Sequence, residues 1–195
     1  MIRATIFDLD GVVRHFDPDY VGFIEVQYGL ERGALNRAAF EPRLLEQVVT
    51  GRISRADWIQ RIGIQVGVPP AADAWGRQPS HVDPAMIRII DQLRQRGTTV
   101  AILTNGTDTI PQELTDLDLV RHVDHVFNSA EIGHAKPSRF TFRYVLDALS
   151  MQPSATFFTD DSAEKVEGAA LVGMHTHLFR NAPALSAELE RLGLL

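Results

Sequence analysis

The stretch TIFDLDGV, residues 5–12, decides the fold. Residues 5–8 combine β-branched and apolar side chains in a way that is typical of a short buried strand. The strand ends in acidic residues, Asp8 and then Asp10, and Gly11 follows as a turn signal. In open α/β sheets, ligands bind at the carboxyl ends of the strands. We therefore predict that this stretch is the first strand of such a sheet and that its two aspartates belong to a functional site.

Four further segments have the same character, and helical patterns lie between most of them. We predict buried strands at residues 99–103, 125–127, 156–159 and 175–179. A helix is predicted from the apolar spacing that begins at Met86, with Asp83 and Pro84 at its start. Gly97 suits its end, and a second helix with the same spacing starts just after Pro137. This alternation predicts an α/β, Rossmann-like parallel sheet with helices on both faces.

The connection between the first and second strands is too long for a single crossover. Asp10 and Thr104 are 94 positions apart, whereas a strand-helix-strand unit needs about 30 residues. About 60 residues are therefore an insertion. Two apolar helical stripes within it, and a capping box at Ser54 and Asp57, predict a small helical cap. We predict a core domain of residues 1–16 and 80–195 and a cap domain of residues 17–79.

The composition is that of a soluble globular chain rather than a disordered or collagen-like one. The 195 residues are 45% hydrophobic and 23% charged, with a formal net charge of -6 and no cysteine. The acidic balance argues against nucleic acid as a partner. The absence of cysteine excludes disulfides and thiolate metal sites. Because no long apolar segment opens the sequence, we expect neither secretion nor a membrane anchor. The absence of cysteine suits a reducing compartment, so the default expectation is a cytoplasmic location. A monomer is expected by default.

The predicted strands and loops bring carboxylates, a hydroxyl and an ammonium to one edge of the sheet. These groups belong to Asp8, Asp10, Thr104, Lys136, Asp160 and Asp161. Such acids repel one another, and repel a phosphate, unless a divalent cation lies among them. Hard oxygen ligands without imidazole or thiolate select Mg²⁺. Beside Mg²⁺ and Lys136, Asp8 is predicted to be a charged nucleophile, and Asp10, pointing elsewhere, a general acid and then a general base.

Four motifs in register with the strand pattern resemble those of the haloacid dehalogenase superfamily. They are Asp8-Leu9-Asp10-Gly11-Val12, Thr104-Asn105, Lys136-Pro137 and Asp160-Asp161, in this order. Residues 129–162 also resemble the corresponding part of subfamily I, whose small helical C1 cap follows the first strand. The resemblance extends over both halves of the predicted core and favours the phosphatase-like members.

The resemblance implies a covalent route and a metal site. Asp8 would attack a phosphoryl group in line, and water would then hydrolyse the aspartyl-phosphate. Mg²⁺ would be held by the Asp8 carboxylate, the Asp10 backbone carbonyl and Asp161. Asp160 would be a supporting partner of these ligands. Four positions after the metal-binding aspartate, where the family often has Asp or Asn, this chain has Lys165, which puts an extra metal contact there in doubt.

The resemblance also implies the phosphoryl-binding groups and the reaction class. Thr104, the Asn105 backbone amide and Lys136 would bind the phosphoryl oxygens and offset charge in a loose transition state. The family's dehalogenases lack the second aspartate, because a halide leaves without protonation, so Asp10 favours a phosphate ester. We predict a phosphohydrolase acting on a small phosphorylated metabolite. A sugar phosphomutase of the same superfamily and a non-catalytic phosphate-binding regulatory module are the alternatives.

A few residues outside the motifs are also candidates for function. Arg14 and His15 lie just beyond the first motif, where the predicted cap begins. Both are candidates for substrate contact, Arg14 as a phosphate-binding residue, and a solvated flap residue is the alternative. Trp58 and Trp75 are expected to pack within the cap rather than to form a platform for the substrate.

Overall fold

A computed structural model describes all 195 residues. Its strands are β1 (Ala4–Phe7), β2 (Arg14–Phe16), β3 (Ser80–Val82), β4 (Thr99–Thr104), β5 (His125–Asn128), β6 (Thr156–Asp160) and β7 (His175–Leu178). Five of them form one parallel sheet in the order β5-β4-β1-β6-β7, which confirms the predicted α/β, Rossmann-like fold. β4 and β5 lie on one side of β1, and β6 and β7, which follow in the chain, lie on the other side. The central strand therefore ends at the crevice where open α/β sheets bind ligands.

The helices predicted from apolar spacing are present, together with others that the sequence analysis did not identify. They are α1 (Tyr20–Gln27), α2 (Ala34–Ala39), α3 (Pro42–Val49), α4 (Arg55–Val66), α5 (Pro69–Gly76), α6 (Pro84–Gln95), α7 (Ile110–Asp116), α8 (Ser129–Ile132), α9 (Arg139–Leu149), α10 (Ala163–Leu171) and α11 (Ala182–Arg191). The Asp83 side chain caps α6 by accepting from the Ala85 amide at 2.7 Å. None of these helices is both long and apolar enough to cross a membrane.

Alternate side chains of the central strands face opposite layers of helices. On β1, Phe7 packs in a core cluster with Ile90 of α6 and Leu185 of α11. Its neighbour Ile6 points the other way, into a cluster with Phe142 of α9. β4 and β6 alternate between the same two clusters. Because both faces of the sheet are covered, its central strands are continuous apolar runs in the sequence.

The two outer strands differ from the sequence-based expectation. β5 and β7 lie at the edges of the sheet, and His125 and His175 at their starts are exposed. The prediction that residues 125–127 and 175–179 are buried strands is wrong in this respect. Residues with β propensity mark an extended segment without indicating whether it has one neighbouring strand or two. The antiparallel pairing of β2 with β3 was not predicted, because strands of three residues are too short to show alternation.

Helices α1 to α5 pack around an apolar cluster of their own. Trp58 and Trp75 are each 8% exposed and meet edge to face, with ring centroids 5.0 Å apart. The expectation that they are packing residues is confirmed. Ser54 and Asp57 form the predicted capping box at the start of α4. The boundaries of a cap domain at residues 17–79 stay a prediction.

Gly168 allows α10 to approach the loop that carries Lys136. A Cβ atom at this position would lie 2.6 Å from the Pro137 carbonyl oxygen and 2.8 Å from the Pro137 Cβ. We expect Gly168→Ala to lower the free energy of unfolding by about 1–3 kcal/mol, because α10 must shift. Gly22 of α1 is the matched control, since nothing lies within 4 Å of its Cβ position. Gly22→Ala should raise stability by about 0.5–1 kcal/mol, and equal effects of the two substitutions in urea denaturation would contradict this account.

Candidate active site

The carboxyl ends of β1, β4 and β6 meet at one edge of the sheet, where most of the predicted site residues lie. Asp8 directly follows β1 and is 3% exposed. Its backbone amide donates to the Thr159 carbonyl of β6 at 2.9 Å. Thr104 ends β4 and Asp160 ends β6, and both are buried. Because β1 lies between β4 and β6, Asp8 stands at the centre of this group.

Lys136 reaches the same edge from the loop between α8 and α9. Its Nζ lies 2.7 Å from Asp8 Oδ1, from Asp160 Oδ2 and from the Leu103 carbonyl oxygen. These three bonds use all three protons of the ammonium, and the side chain has no exposed surface. The Phe158 ring lies against the ammonium, with its centroid 5.4 Å from Nζ. Lys136 therefore orients Asp8 and links three neighbouring strands.

Three carboxylates converge beside Lys136. One oxygen from each of Asp8, Asp160 and Asp161 lies within 4.8 Å of the others, and only Asp161 is exposed. Gly11 lies against this group, because a Cβ atom there would collide with the Asp161 carboxylate. The sequence-based interpretation treats Asp160 as a supporting partner of the metal ligands. The structure brings its carboxylate into the cluster itself.

Lys165 is a site residue to which the sequence analysis assigned no role. From α10, its Nζ lies 3.4 Å from Asp8 Oδ2 and 3.5 Å from Asp160 Oδ1. Burial opposes its charge, but attraction by the nearby carboxylates outweighs burial and raises the pKa of Lys165 above its ordinary value. Lys165 is thus a second ammonium beside Asp8. The only signal in the sequence is the departure from Asp or Asn at this position, which does not indicate where the lysine points.

Asn105 joins the loop after β4 to the loop that carries Lys136. Its Oδ1 accepts from the Lys136 amide and its Nδ2 donates to the Lys136 carbonyl, both at 2.8 Å. These bonds occupy the Asn105 side chain, whereas its backbone amide makes no hydrogen bond within the chain. That amide is the donor which the family resemblance assigns to a phosphoryl oxygen. It is free to bind an anion next to Lys136.

The Asp10 side chain bonds to Arg14 instead of joining the carboxylate cluster. Arg14 Nε and Nη2 donate to its two oxygens at 2.6 and 3.0 Å, and Arg14 Nη1 donates to Glu113 at 2.7 Å. Arg14 is 3% exposed, so the alternative that it is a solvated flap residue is wrong. The predicted contact of Arg14 with phosphate stays a prediction. His15 is half-buried beside His81, with ring centroids 5.8 Å apart, and its contact with substrate also stays a prediction.

The donor set at this edge fits Mg²⁺. Carboxylate oxygens from three aspartates lie within 4.8 Å of one another, and such hard ligands suit this ion. Three carboxylates against the Lys136 and Lys165 ammoniums leave a net charge of -1. A divalent cation would change this net charge to +1. The cluster with its cation would then attract an anionic phosphate rather than repel it.

The sequence belongs to a known family. A model of the family described as haloacid dehalogenase-like hydrolase matches residues 2–173. The chain is therefore a member of the haloacid dehalogenase-like hydrolases, and the resemblance seen in its four motifs is confirmed. The predicted enzyme class, a hydrolase, is confirmed with it.

Two relatives and one solved structure illustrate the similarity. Bifunctional epoxide hydrolase 2 from Rattus norvegicus is 25% identical over 98% of this chain, which spans 39% of the length of that protein. Sesquiterpene phosphatase astK from Aspergillus oryzae is 27% identical over 97% of this chain and 96% of its own length. A haloacid dehalogenase family enzyme from Bacteroides thetaiotaomicron, crystallised with magnesium and inorganic phosphate, has a TM-score of 0.77 and 21% identity, covering 92% of this chain and 95% of its own. The structural likeness shows a shared fold.

Removing the Lys136 ammonium would leave the two buried carboxylates of Asp8 and Asp160 with only the longer ion-pair contacts to Lys165. We expect Lys136→Met to lower the free energy of unfolding by about 3–5 kcal/mol in urea denaturation, with EDTA present so that no divalent cation compensates. Lys165→Met is the comparison, because a quarter of that side chain is exposed. Its loss should be about 1 kcal/mol or less. A loss for Lys136→Met no larger than that for Lys165→Met would contradict the role of Lys136 as the buried link.

Proposed function

We propose that this protein is a Mg²⁺-dependent phosphohydrolase that cleaves a phosphate monoester of a small metabolite through an aspartyl-phosphate on Asp8. The observation that carries the proposal is the Asp8 carboxylate, which has one oxygen on Lys136 and the other near Lys165, beside two further carboxylates. Membership of the hydrolase family and the similarity to a sesquiterpene phosphatase support it. A cytoplasmic location and a monomeric state belong to the same proposal.

Asp8 supplies the nucleophilic oxygen. Its Oδ1 accepts from Lys136 Nζ at 2.7 Å and from the Leu9 amide at 2.8 Å, which leaves Oδ2 for the attack. The Oδ2–phosphorus bond forms in line as the bond from phosphorus to the leaving-group oxygen breaks, and that oxygen takes a proton. Water then attacks the phosphorus of the aspartyl-phosphate, which releases inorganic phosphate and regenerates the carboxylate.

Hydrogen-bond donors and positive charge bind the phosphoryl oxygens in this proposal. The Thr104 hydroxyl and the Asn105 backbone amide would donate to these oxygens. The Lys136 ammonium, whose three protons already bond within the chain, would contribute its positive charge to the transition state. Lys165 adds a second ammonium on the side of Asp8 Oδ2. Arg14 is not assigned to the phosphate here, because three of its nitrogens already donate to carboxylates.

Mg²⁺ is proposed at the carboxylate cluster. The Asp8 carboxylate, Asp161 and the Asp10 backbone carbonyl would hold the ion, while Asp160 keeps Lys136 in place beside them. When bound, Mg²⁺ supplies Lewis-acid polarisation of a phosphoryl oxygen and offsets its negative charge. The Bacteroides enzyme of similar fold, crystallised with magnesium and inorganic phosphate, supports this assignment.

Asp10 is proposed as the general acid for the leaving group and then as the general base for the attacking water. Its side chain is 41% exposed, so a substrate can reach it, whereas Asp8 is buried. A halide leaves without a proton, so a carboxyl group in this position favours a phosphate ester over a halogenated acid.

Phosphate release tests the proposal. The wild type should release inorganic phosphate from p-nitrophenyl phosphate, and from members of a panel of sugar and nucleotide monophosphates, with Mg²⁺ and not with EDTA. Asp8→Asn removes the nucleophilic oxygen and should lower kcat on the order of 10³-fold or more. Acid-quenched wild-type enzyme should carry one phosphoryl group on the peptide that contains Asp8.

The matched control is Asp116→Asn, because Asp116 is an exposed carboxylate of α7 that bonds to Gln112 and lies outside the site. Its kcat should equal that of the wild type. Phosphate release by Asp8→Asn at the wild-type rate would contradict the aspartyl-phosphate route. Conversion of a sugar phosphate into its isomer without free phosphate would indicate a phosphomutase. No release of phosphate by the folded, Mg²⁺-binding protein would contradict the proposed function.

A further inference from the structure

A buried arginine holds the side chain that the proposed reaction uses for proton transfer. Arg14, on β2, is 3% exposed, and its Nε and Nη2 bond to the two oxygens of Asp10 at 2.6 and 3.0 Å. The backbone closes the same turn, because the Gly11 amide donates to the Arg14 carbonyl at 2.8 Å. Two parallel bonds from a planar guanidinium fix both the position and the plane of a carboxylate. The orientation of Asp10 therefore depends on Arg14.

The other side of the Arg14 guanidinium is held by Glu113 of α7. Arg14 Nη1 lies 2.7 Å from Glu113 Oε2, and Glu113 Oε1 accepts from the Thr109 hydroxyl at 2.6 Å. Arg55, at the start of α4, brings its Nε within 3.8 Å of the same Oε1. Two guanidinium groups and two carboxylates thus balance one another. Arg14 has partners on both sides, so its place does not depend on a bound substrate.

Arg14 and Glu113 both keep their charges in this network. Burial opposes the charge of Arg14, but its bonds to Asp10 and Glu113 outweigh burial and raise the pKa of the guanidinium above its ordinary value. Burial also opposes the charge of Glu113, but bonds from Thr109 and Arg14 outweigh it and lower the pKa of that carboxyl group. Arg14 therefore donates hydrogen bonds without giving up a proton.

We propose that Arg14 is a positioning residue that holds the Asp10 carboxyl group against the leaving-group oxygen. This inference rests on the proposed function. In the first step, a proton passes from Asp10 to the leaving-group oxygen as the bond between that oxygen and phosphorus breaks, and Arg14 bonds the carboxylate that remains. In the second step, this carboxylate takes a proton from the water that attacks the aspartyl-phosphate. Arg14 makes no contact with the phosphoryl group in this role.

The test compares two esters whose leaving groups differ in their need for a proton. Nitrophenolate leaves more readily than phenolate, so p-nitrophenyl phosphate depends less on a general acid than phenyl phosphate does. The quantity to compare is kcat/KM, because it reports only the steps up to the departure of the leaving group. The ratio of the two kcat/KM values separates protonation by Asp10 from changes at the nucleophile or at the metal site, which affect both esters.

Arg14→Lys keeps the positive charge and removes the planar fork. We expect it to lower kcat/KM for phenyl phosphate roughly 10-fold more than for p-nitrophenyl phosphate, within the range that a general acid supplies. Asp10→Asn should change the ratio in the same direction and by more. Adding Arg14→Lys to Asp10→Asn should change the ratio no further, because the two residues act as one unit.

The matched control is Arg94→Lys. Arg94 Nε and Nη2 lie 3.0 and 2.9 Å from one oxygen of Asp124. Asp124 directly precedes β5, at the amino end of that strand, whereas the proposed site lies at the carboxyl ends of the strands. This variant makes the same substitution in an arginine-aspartate pair outside the proposed site and should leave both kcat/KM values unchanged. Glu113→Gln is a second probe, because it weakens the support of Arg14 without altering Arg14. Glu113→Gln should change the ratio of the two kcat/KM values in the same direction as Arg14→Lys, by a smaller amount. It keeps the inference testable if Arg14→Lys does not fold.

The outcomes separate this inference from the proposed function. An unchanged ratio in both Arg14→Lys and Glu113→Gln, with the two rates lowered alike, would mean that Arg14 is only structural and would overturn the inference. An unchanged ratio in Asp10→Asn would overturn it as well, since Asp10 would not be the acid. Failure of the wild type to release either phenol with Mg²⁺ would instead contradict the proposed function, and the inference with it.

Discussion

The Lys136 ammonium has no exposed surface and bonds to Asp8 after β1, to Leu103 of β4 and to Asp160 of β6. A buried ammonium is stable only with carboxylates beside it, and the two buried carboxylates need the ammonium in turn. This mutual requirement holds the ends of three strands together and sets the direction of Asp8. Asn105 bonds both backbone groups of Lys136, which ties the loop that carries the lysine to the loop after β4.

The two aspartates of the first motif belong to different ion-pair networks. Asp8 belongs to the buried network of Lys136, whereas the half-exposed side chain of Asp10 belongs to that of Arg14 and Glu113. Residues two apart on a strand point to the same face, so this separation requires the strand to end before the aspartates. β1 does end before Asp8. The turn that follows separates the two side chains, as the proposed roles of Asp8 as nucleophile and of Asp10 in proton transfer require.

The segments that connect the inserted helices to the sheet lie next to the ion pair of Asp10 and Arg14. Their two flanking segments, β2 and β3, pair with each other, and Arg14 opposite Val82 is the first pair of that ladder. Arg55 at the start of α4 adds a longer-range charge contact to Glu113. The segment that leads into the inserted helices thus also carries the residue that orients Asp10.

The sequence by itself determined the α/β fold, the place of the insertion and the motifs that carry Asp8 and Asp10, because strand alternation, helical spacing and turn residues are local signals. It did not distinguish the edge strands from the central ones, since strand order depends on pairing between distant segments. Only the tertiary structure decided that Lys165 lies beside Asp8 and that Arg14 lies between Asp10 and Glu113. The contacts of Lys165 with Asp8 and of Arg14 with Glu113 join residues 157 and 99 positions apart. Such contacts arise from how helices pack on the sheet, which no local pattern encodes.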